Sequence, residues 1–239
     1  MKLSLVFLTL NEIIGLEAIF DKVPLDAVDE VLAIDGGSTD GTLEFFKKKN
    51  IPVFVQETKG RGEAFRLAFK KARGDALLFF SPDGNEDPYD ISRFKPLIEE
   101  GNDIVIATRM VKNARNEEDD QLFKWRKWAN KVFNLMANYT WNKGPIVSDT
   151  INGFRTITRK AWYELALDGS GYTIEYQGSI RAFKRKLKIA EFPTHEGARI
   201  DRREGSPSMK TGIAFLKLYF SEFLIGNKWE PLSVKESGE

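Results

Sequence analysis

The chain has 239 residues, 42% of them hydrophobic, 12% aromatic and 30% charged, a balance that supports a sizeable core and excludes a disordered chain. Its 36 Lys and Arg stand against 35 Asp and Glu, so no global basic field points to nucleic acid, and any anionic ligand must be met locally. Cysteine is absent, which excludes disulfides, thiolate nucleophiles and cysteine-ligated zinc and fits a reducing, cytoplasmic setting.

Met1 and Lys2 lead straight into Leu3-Ser4-Leu5-Val6-Phe7-Leu8, too short for a signal peptide and read as a first strand over 3–9, buried on both faces. It ends in Thr9-Leu10-Asn11-Glu12, where a helix begins. Val31 to Ile34 makes a second strand, closed by Asp35-Gly36-Gly37-Ser38-Thr39-Asp40-Gly41-Thr42 and followed by a helix through Lys49. Pro52 to Gln56, Ala76 to Phe80 and Ile104 to Ala107 continue the strands, with helices over Gly62 to Arg73 and near 88–100. This alternation predicts a parallel sheet with right-handed crossovers. Residues 112–121 are polar and read as a mobile loop; Leu122 to Tyr139 is helical, with Trp125, Trp128, Phe133 and Leu135 beside Lys124, Arg126, Lys127 and Lys131. A strand over Thr150 to Thr158, a helix over Tyr172 to Lys184 and a strand over Leu187 to Phe192 follow. The basic segment 194–210 then leads to an amphipathic helix near 211–226. Lys217 and Glu222 interrupt its apolar stretch, so the chain reads as soluble or peripheral.

In an open parallel sheet, ligands bind beyond the carboxyl ends of the strands, which makes the polar residues there the first candidates. Ser38 and Asp40 fit helix capping. Asp35 and Asp83 end apolar strands, where an unpaired carboxylate is expensive to bury, and favour a ligand role. The expectation is that the two emerge at neighbouring strand tips and face one ligand. No G-x-G-x-x-G follows the first strand, which argues against a dehydrogenase. The single histidine, His195, has no nucleophile motif beside it and reads as structural.

The series Thr9-Leu10-Asn11-Glu12, Ile34 to Thr42, Gly60-Arg61-Gly62-Glu63-Ala64, Ala72-Arg73-Gly74-Asp75 and Ser81-Pro82-Asp83 resembles the donor half of family 2 glycosyltransferases of the GT-A fold. Downstream, Ser148 to Arg155, Gly171-Tyr172-Thr173-Ile174-Glu175 and Asp201 to Ser206 resemble the polyprenol-phosphate, dolichol-phosphate mannosyltransferase-like branch. The resemblance implies an α/β, GT-A-type nucleotide-diphospho-sugar transferase fold, with a mostly parallel central sheet flanked by helices. That domain would occupy residues 1–210, with 211–239 as a C-terminal amphipathic helix and tail.

It also implies roles. Thr9, Asn11, Glu12 and Asp35 would contact the base and ribose of a nucleotide-diphosphate sugar. Gly60 and Arg61 would meet its negative charge at a helix N-terminus. Arg199, Arg202, Arg203 and Lys210 would close over the pyrophosphate and stabilise the departing nucleoside diphosphate, with either Arg202 or Arg203 as the family's equivalent arginine. Asp83 and Asn85 would hold Mg²⁺ or Mn²⁺, weakly, because Ser81 stands where the family has the first of two aspartates. Ser148, Asp149 and Arg155 would face the acceptor. A lipid-phosphate acceptor is already ionised, so Asp149 would position rather than abstract. Arg126 would bind that phosphate or rest on the cytoplasmic face of a membrane. The reaction implied is an inverting transfer. Two rivals stand beside it: a divergent or non-catalytic nucleotide-sugar-binding protein, and a sugar-nucleotide pyrophosphorylase, whose longer Gly-rich basic loop residues 9–12 lack.

Overall fold

The first strand, β1 (Leu3–Thr9), is buried along its whole length, and its side chains alternate between two cores. Leu3, Leu5 and Phe7 enter one and Val6 and Leu8 the other, which is why the sequence shows an uninterrupted apolar run. The structure is a computed structural model that describes residues 1–120, 123–200 and 208–232. Further strands are β2 (Glu30–Asp35), β3 (Val53–Val55), β4 (Ala76–Phe80), β5 (Ile104–Thr108), β6 (Arg155–Thr158) and β7 (Ile189–Pro193), in the order β3-β2-β1-β4-β6-β5-β7. Only β6 is antiparallel to its neighbours, so the other strands all point their carboxyl ends to one edge.

The helices are α1 (Ile13–Ile19), α2 (Thr42–Lys48), α3 (Arg61–Lys71), α4 (Phe94–Glu99), α5 (Trp125–Trp141), α6 (Arg159–Leu165), α7 (Ile174–Arg185) and α8 (Ser208–Ile225). Helices α1, α2 and α4 cover one face through Leu16, Phe46 and Phe94. The rest cover the other. There Phe65 stacks on Phe79 at 3.7 Å between ring centroids, and Phe69 on Trp162 at 4.1 Å, which fixes α3 between β4 and α6. A Cβ on Gly62 would stand 2.1 Å from the Gly169 carbonyl oxygen, so only glycine lets α3 start against that turn.

The terminal helix shares this core, although the sequence sets it after residue 210. Phe215 of α8 packs on Phe133 of α5 and Tyr176 of α7, and Glu222 is fully buried. The Glu222 carboxylate accepts from Gln177 and Arg181 at 2.9 Å and from Lys184 at 2.8 Å. Among the described residues, no helix is long and apolar enough to cross a membrane.

Three expectations change. The strand expected over 150–158 is short, because the chain before it turns about Asn134, whose Oδ1 accepts from the amide and the hydroxyl of Thr150. Near 88–100, a 3₁₀ turn over Pro88–Arg93 precedes α4. The loop expected to be mobile is tied down over its described part. Arg115 bridges to His195, Asn116 and Glu118 are buried, and Glu118 caps α5 by accepting from the amides of Arg126 and Lys127.

Candidate active site

A cleft opens at the carboxyl edge, beyond β4 and β5. The chain leaving β4 contributes Ser81, Asp83, Asn85 and Glu86, and the chain leaving β5 contributes Arg109. Asp83 accepts from the Asn85 amide at 3.0 Å, and its Oδ2 lies 3.4 Å from Arg199 Nη1. Segment 196–200 is stitched to this turn. Gly197 N donates to Asn85 O at 2.8 Å, Ile200 N to Asp83 O at 3.0 Å, and Asn85 Nδ2 to Gly197 O. Half-buried Glu86 folds back so that its Oε2 accepts from Ser81 N at 2.8 Å. Burial, with the charge of Asp83 close by, pushes the Glu86 carboxyl up to about 8.

Arg109 is the cation of the far wall. Its Nε and Nη2 donate to Oδ2 and Oδ1 of Asp149 at 2.8 and 3.0 Å, and Nη1 donates to Glu196 at 3.1 Å. Burial alone would lower its pKa, but Asp149 and Glu196 outweigh burial and raise it. Arg61, at the first turn of α3, pairs with buried Glu175, whose second oxygen has no hydrogen-bond partner among the described residues. Both line the cleft. A Cβ on Gly153 would stand 2.0 Å from Arg61 Nη2, so a larger residue there would displace the guanidinium from its pair with Glu175. Helices α5 and α8 close the opening with Trp125, Arg126, Thr211, Gly212 and Phe215.

Of the residues singled out from sequence, Asp83, Asn85, Arg61 and Arg126 line this cleft together. Asp35 does not. It lies at the same sheet edge as Asp83, but β1 stands between their strands, so the two are not at neighbouring tips. Its fully buried carboxylate accepts from Thr9 Oγ1, Gly37 N, Ser38 N and Ser38 Oγ, and so organises the turn after β2. Asn11 belongs to the same knot, donating to Ser38 Oγ and accepting from Thr39 N; the amide of neighbouring Glu12 donates to Thr42. Gly60 caps α3 outside the cleft lining, and Lys210 is exposed on the first turn of α8.

The acceptor-facing group needs correcting more sharply. Arg155 is fully buried beneath the cleft, and its guanidinium donates to the carbonyls of Thr150, Asn152 and Glu175 and to Ser179 Oγ. Four of its five N–H groups are spent on these partners beneath the cleft floor, and burial pulls its pKa down to about 10. Asp149 is equally buried and is spent on Arg109, while Ser148 shares a hydrogen bond with Thr108. Arg202 and Arg203 lie outside the described residues. Sequence reasoning missed Arg109, Glu86 and Glu196; Arg109 carries the same signal as Asp83, a polar residue just past the end of an apolar strand.

The donor atoms fit a hard divalent cation. Asp83 and Glu86 bring carboxylates to the cleft, and Asn85 commits its side-chain nitrogen to Gly197, which leaves Oδ1 as an oxygen donor. Among the described residues, no cluster of three or more acidic or histidine side chains could hold an ion alone. This suits a metal completed by phosphate oxygens.

Residues 4–163 match the model of Glycosyl transferase family 2. The chain belongs to this family. This family 2 chain is 29% identical over 192 residues to Glycosyltransferase AglJ of Haloferax volcanii, covering 79% of itself and 61% of that protein. It is 27% identical over 241 residues to the Dolichol-phosphate mannosyltransferase of Pyrococcus furiosus, covering 96% of itself and 65% of that protein. It thus spans slightly under two thirds of the length of both relatives. Among solved structures, glucosyl-3-phosphoglycerate synthase from Mycobacterium tuberculosis, in complex with Mn²⁺, UDP-glucose and phosphoglyceric acid, matches with a TM-score of 0.72 at 20% identity. The match covers 98% of this chain and 88% of that one, and the likeness is one of fold. The expected α/β, GT-A-type architecture is therefore the observed one.

Proposed function

We propose that this chain moves a sugar from a nucleotide-diphosphate donor to a polyprenyl-type lipid phosphate at a membrane surface. The surface beside the cleft carries the acceptor assignment. Helices α5 and α8 turn apolar side chains outward, with Trp125 67% and Leu224 81% exposed, together with Trp128, Tyr139, Phe220 and Phe223. These helices expose Lys131, Lys210 and Lys217, with Arg126 and Lys127 paired to Glu117 and Asp119 of the preceding loop, while α5 has no acid and the one acid of α8, Glu222, points inward. A broad apolar patch edged with positive charge suits the headgroup zone of an anionic bilayer. The same helices supply Trp125, Arg126 and Phe215 to the cleft wall, so a lipid whose tail stays in the bilayer would present its phosphate there. The dolichol phosphate in the name of the Pyrococcus relative supports the same class of acceptor.

In the transfer, an oxygen of the acceptor phosphate attacks the anomeric carbon while the bond from that carbon to the donor diphosphate breaks. The configuration inverts, and the nucleoside diphosphate leaves with the electron pair. The acceptor has no proton to lose, so no general base is needed, in keeping with Asp149 being committed to Arg109. Arg61, Arg109, Arg126 and Arg199 line the space where negative charge gathers; each is paired with a carboxylate (Glu175, Asp149, Glu117 and Asp83), and they would offset the new charge by sharing or exchanging those partners for the diphosphate. A divalent cation on Asp83 and Asn85 would neutralise the donor diphosphate, and Ser81 in place of a carboxylate would make its binding weak.

A thermal-shift series with nucleoside-diphosphate sugars, with and without Mn²⁺, tests the donor half, since a ligand of the folded state raises its melting temperature. At least one donor should raise it, and more so with Mn²⁺. A chain indifferent to every donor would end this reading.

A further inference from the structure

We infer that Glu86 supplies the carboxylate that residue 81 lacks, and that with Asp83 it holds the divalent cation of the donor complex. The inference rests on the donor reading above. Ser81 ends β4 with a hydroxyl, which is a poor ligand for a hard cation that must also draw in a diphosphate. Five residues on, the chain turns back and brings the Glu86 carboxylate onto the Ser81 amide, 2.8 Å from its nitrogen. A carboxylate hung from position 81 would occupy the same neighbourhood, and Ser81, Asp83 and Glu86 line one cleft.

Two further observations point to a ligand there. The other oxygen of Glu86 accepts no hydrogen bond among the described residues, and none of the ion pairs among them involves Glu86. Glu175, which lines the same cleft and is 3% exposed, holds a buried oxygen without a partner among those residues. A purely structural Glu86, stapling the turn through the Ser81 amide, would need only a carbonyl-type acceptor. Glutamine would serve as well.

That difference sets the experiment. Free Mn²⁺ is followed by electron paramagnetic resonance as it is taken up in the presence of UDP or GDP, for the wild-type chain, Glu86→Gln and the double variant Ser81→Asp/Glu86→Gln. Glu86→Gln should weaken Mn²⁺ binding by at least about tenfold, since loss of even an outer partner of a metal ligand costs that much. Its melting temperature in the absence of metal should not fall. Ser81→Asp in that background should restore most of the affinity by returning a carboxylate to the strand end. Unchanged Mn²⁺ affinity in Glu86→Gln, or no recovery in the double variant, would overturn the inference. A wild-type chain that binds a nucleoside diphosphate without taking up Mn²⁺ would also overturn it, yet leave the donor reading standing. One that binds neither UDP nor GDP would remove both.

Discussion

Asp149 grips Arg109 through two parallel charge-assisted bonds, Nε to Oδ2 at 2.8 Å and Nη2 to Oδ1 at 3.0 Å, so a fully buried carboxylate fixes a guanidinium at the cleft wall. The pair joins residues 40 positions apart and sets the orientation of the wall cation. Removing the carboxylate breaks the bidentate pair and leaves the largely buried guanidinium to Glu196 alone, so Asp149→Ala should cost up to about 3–5 kcal/mol in urea unfolding. Arg109→Lys keeps the charge but loses the fork, and transfer should drop by about a hundredfold, the scale seen when one positioned electrostatic donor is lost. Steady-state kinetics beside a melting curve separates the two effects. Normal turnover in Arg109→Lys would remove Arg109 from the site.

Glu222 ties α8 to α7 by accepting from both Arg181 and Lys184 with almost no solvent contact. Glu222→Ala should therefore destabilise the chain by about 3 kcal/mol or more, because Lys184 loses its counter-charge and Arg181 keeps only the exposed Asp168. Glu222→Gln should cost less, since one carbonyl oxygen still accepts. Denaturant titration of both variants checks the order.

The outward faces of α5 and α8 should matter for membranes and not for the nucleotide. Trp128→Glu or Leu224→Glu should weaken binding to vesicles of anionic lipid by about tenfold each, as expected when one large apolar side chain can no longer be buried. Nucleoside-diphosphate affinity in solution should stay the same. Co-sedimentation with vesicles at low and high salt reads both the apolar and the charged contribution.

Glu191 on β7 offers a pH test. Burial raises its pKa, against the pull of the Ser148 and Asp149 amides that donate to it. A carboxyl raised on folding binds its proton more tightly in the native state. Its stabilising effect is therefore full below the unfolded value near 4.5 and is lost as pH climbs through the folded value. Wild-type stability should fall relative to Glu191→Gln between pH 5 and pH 8. Parallel urea midpoints for the two chains across that range would contradict it.

Much of the sheet is legible in the sequence because β1 and β4 are covered on both faces, which forces unbroken apolar runs. Strand β6 is harder to bound, since its four residues follow a turn held by the distant Asn134. The order of strands also escapes inspection, and with it the fact that β1 separates Asp35 from Asp83. The site was partly readable for a related reason. Position at a strand end marks a residue as near the ligand edge, and Asp83 and Asn85 line the cleft. It does not show whether the charge is already met. Asp35, Asp149 and Arg155 carry suggestive chemistry at suggestive places, yet each is buried and satisfied by partners that only the fold brings close.

The central claim is the transfer itself. The chain, mixed with vesicles containing polyprenyl phosphate and Mn²⁺, is given nucleotide-diphosphate sugars radiolabelled in the sugar, and the label extracted into organic solvent is counted. The account predicts lipid-linked label from at least one donor, dependent on the polyprenyl phosphate and abolished by Asp83→Ala. Donor consumed without label in the lipid, or equal label with Asp83→Ala, would contradict it.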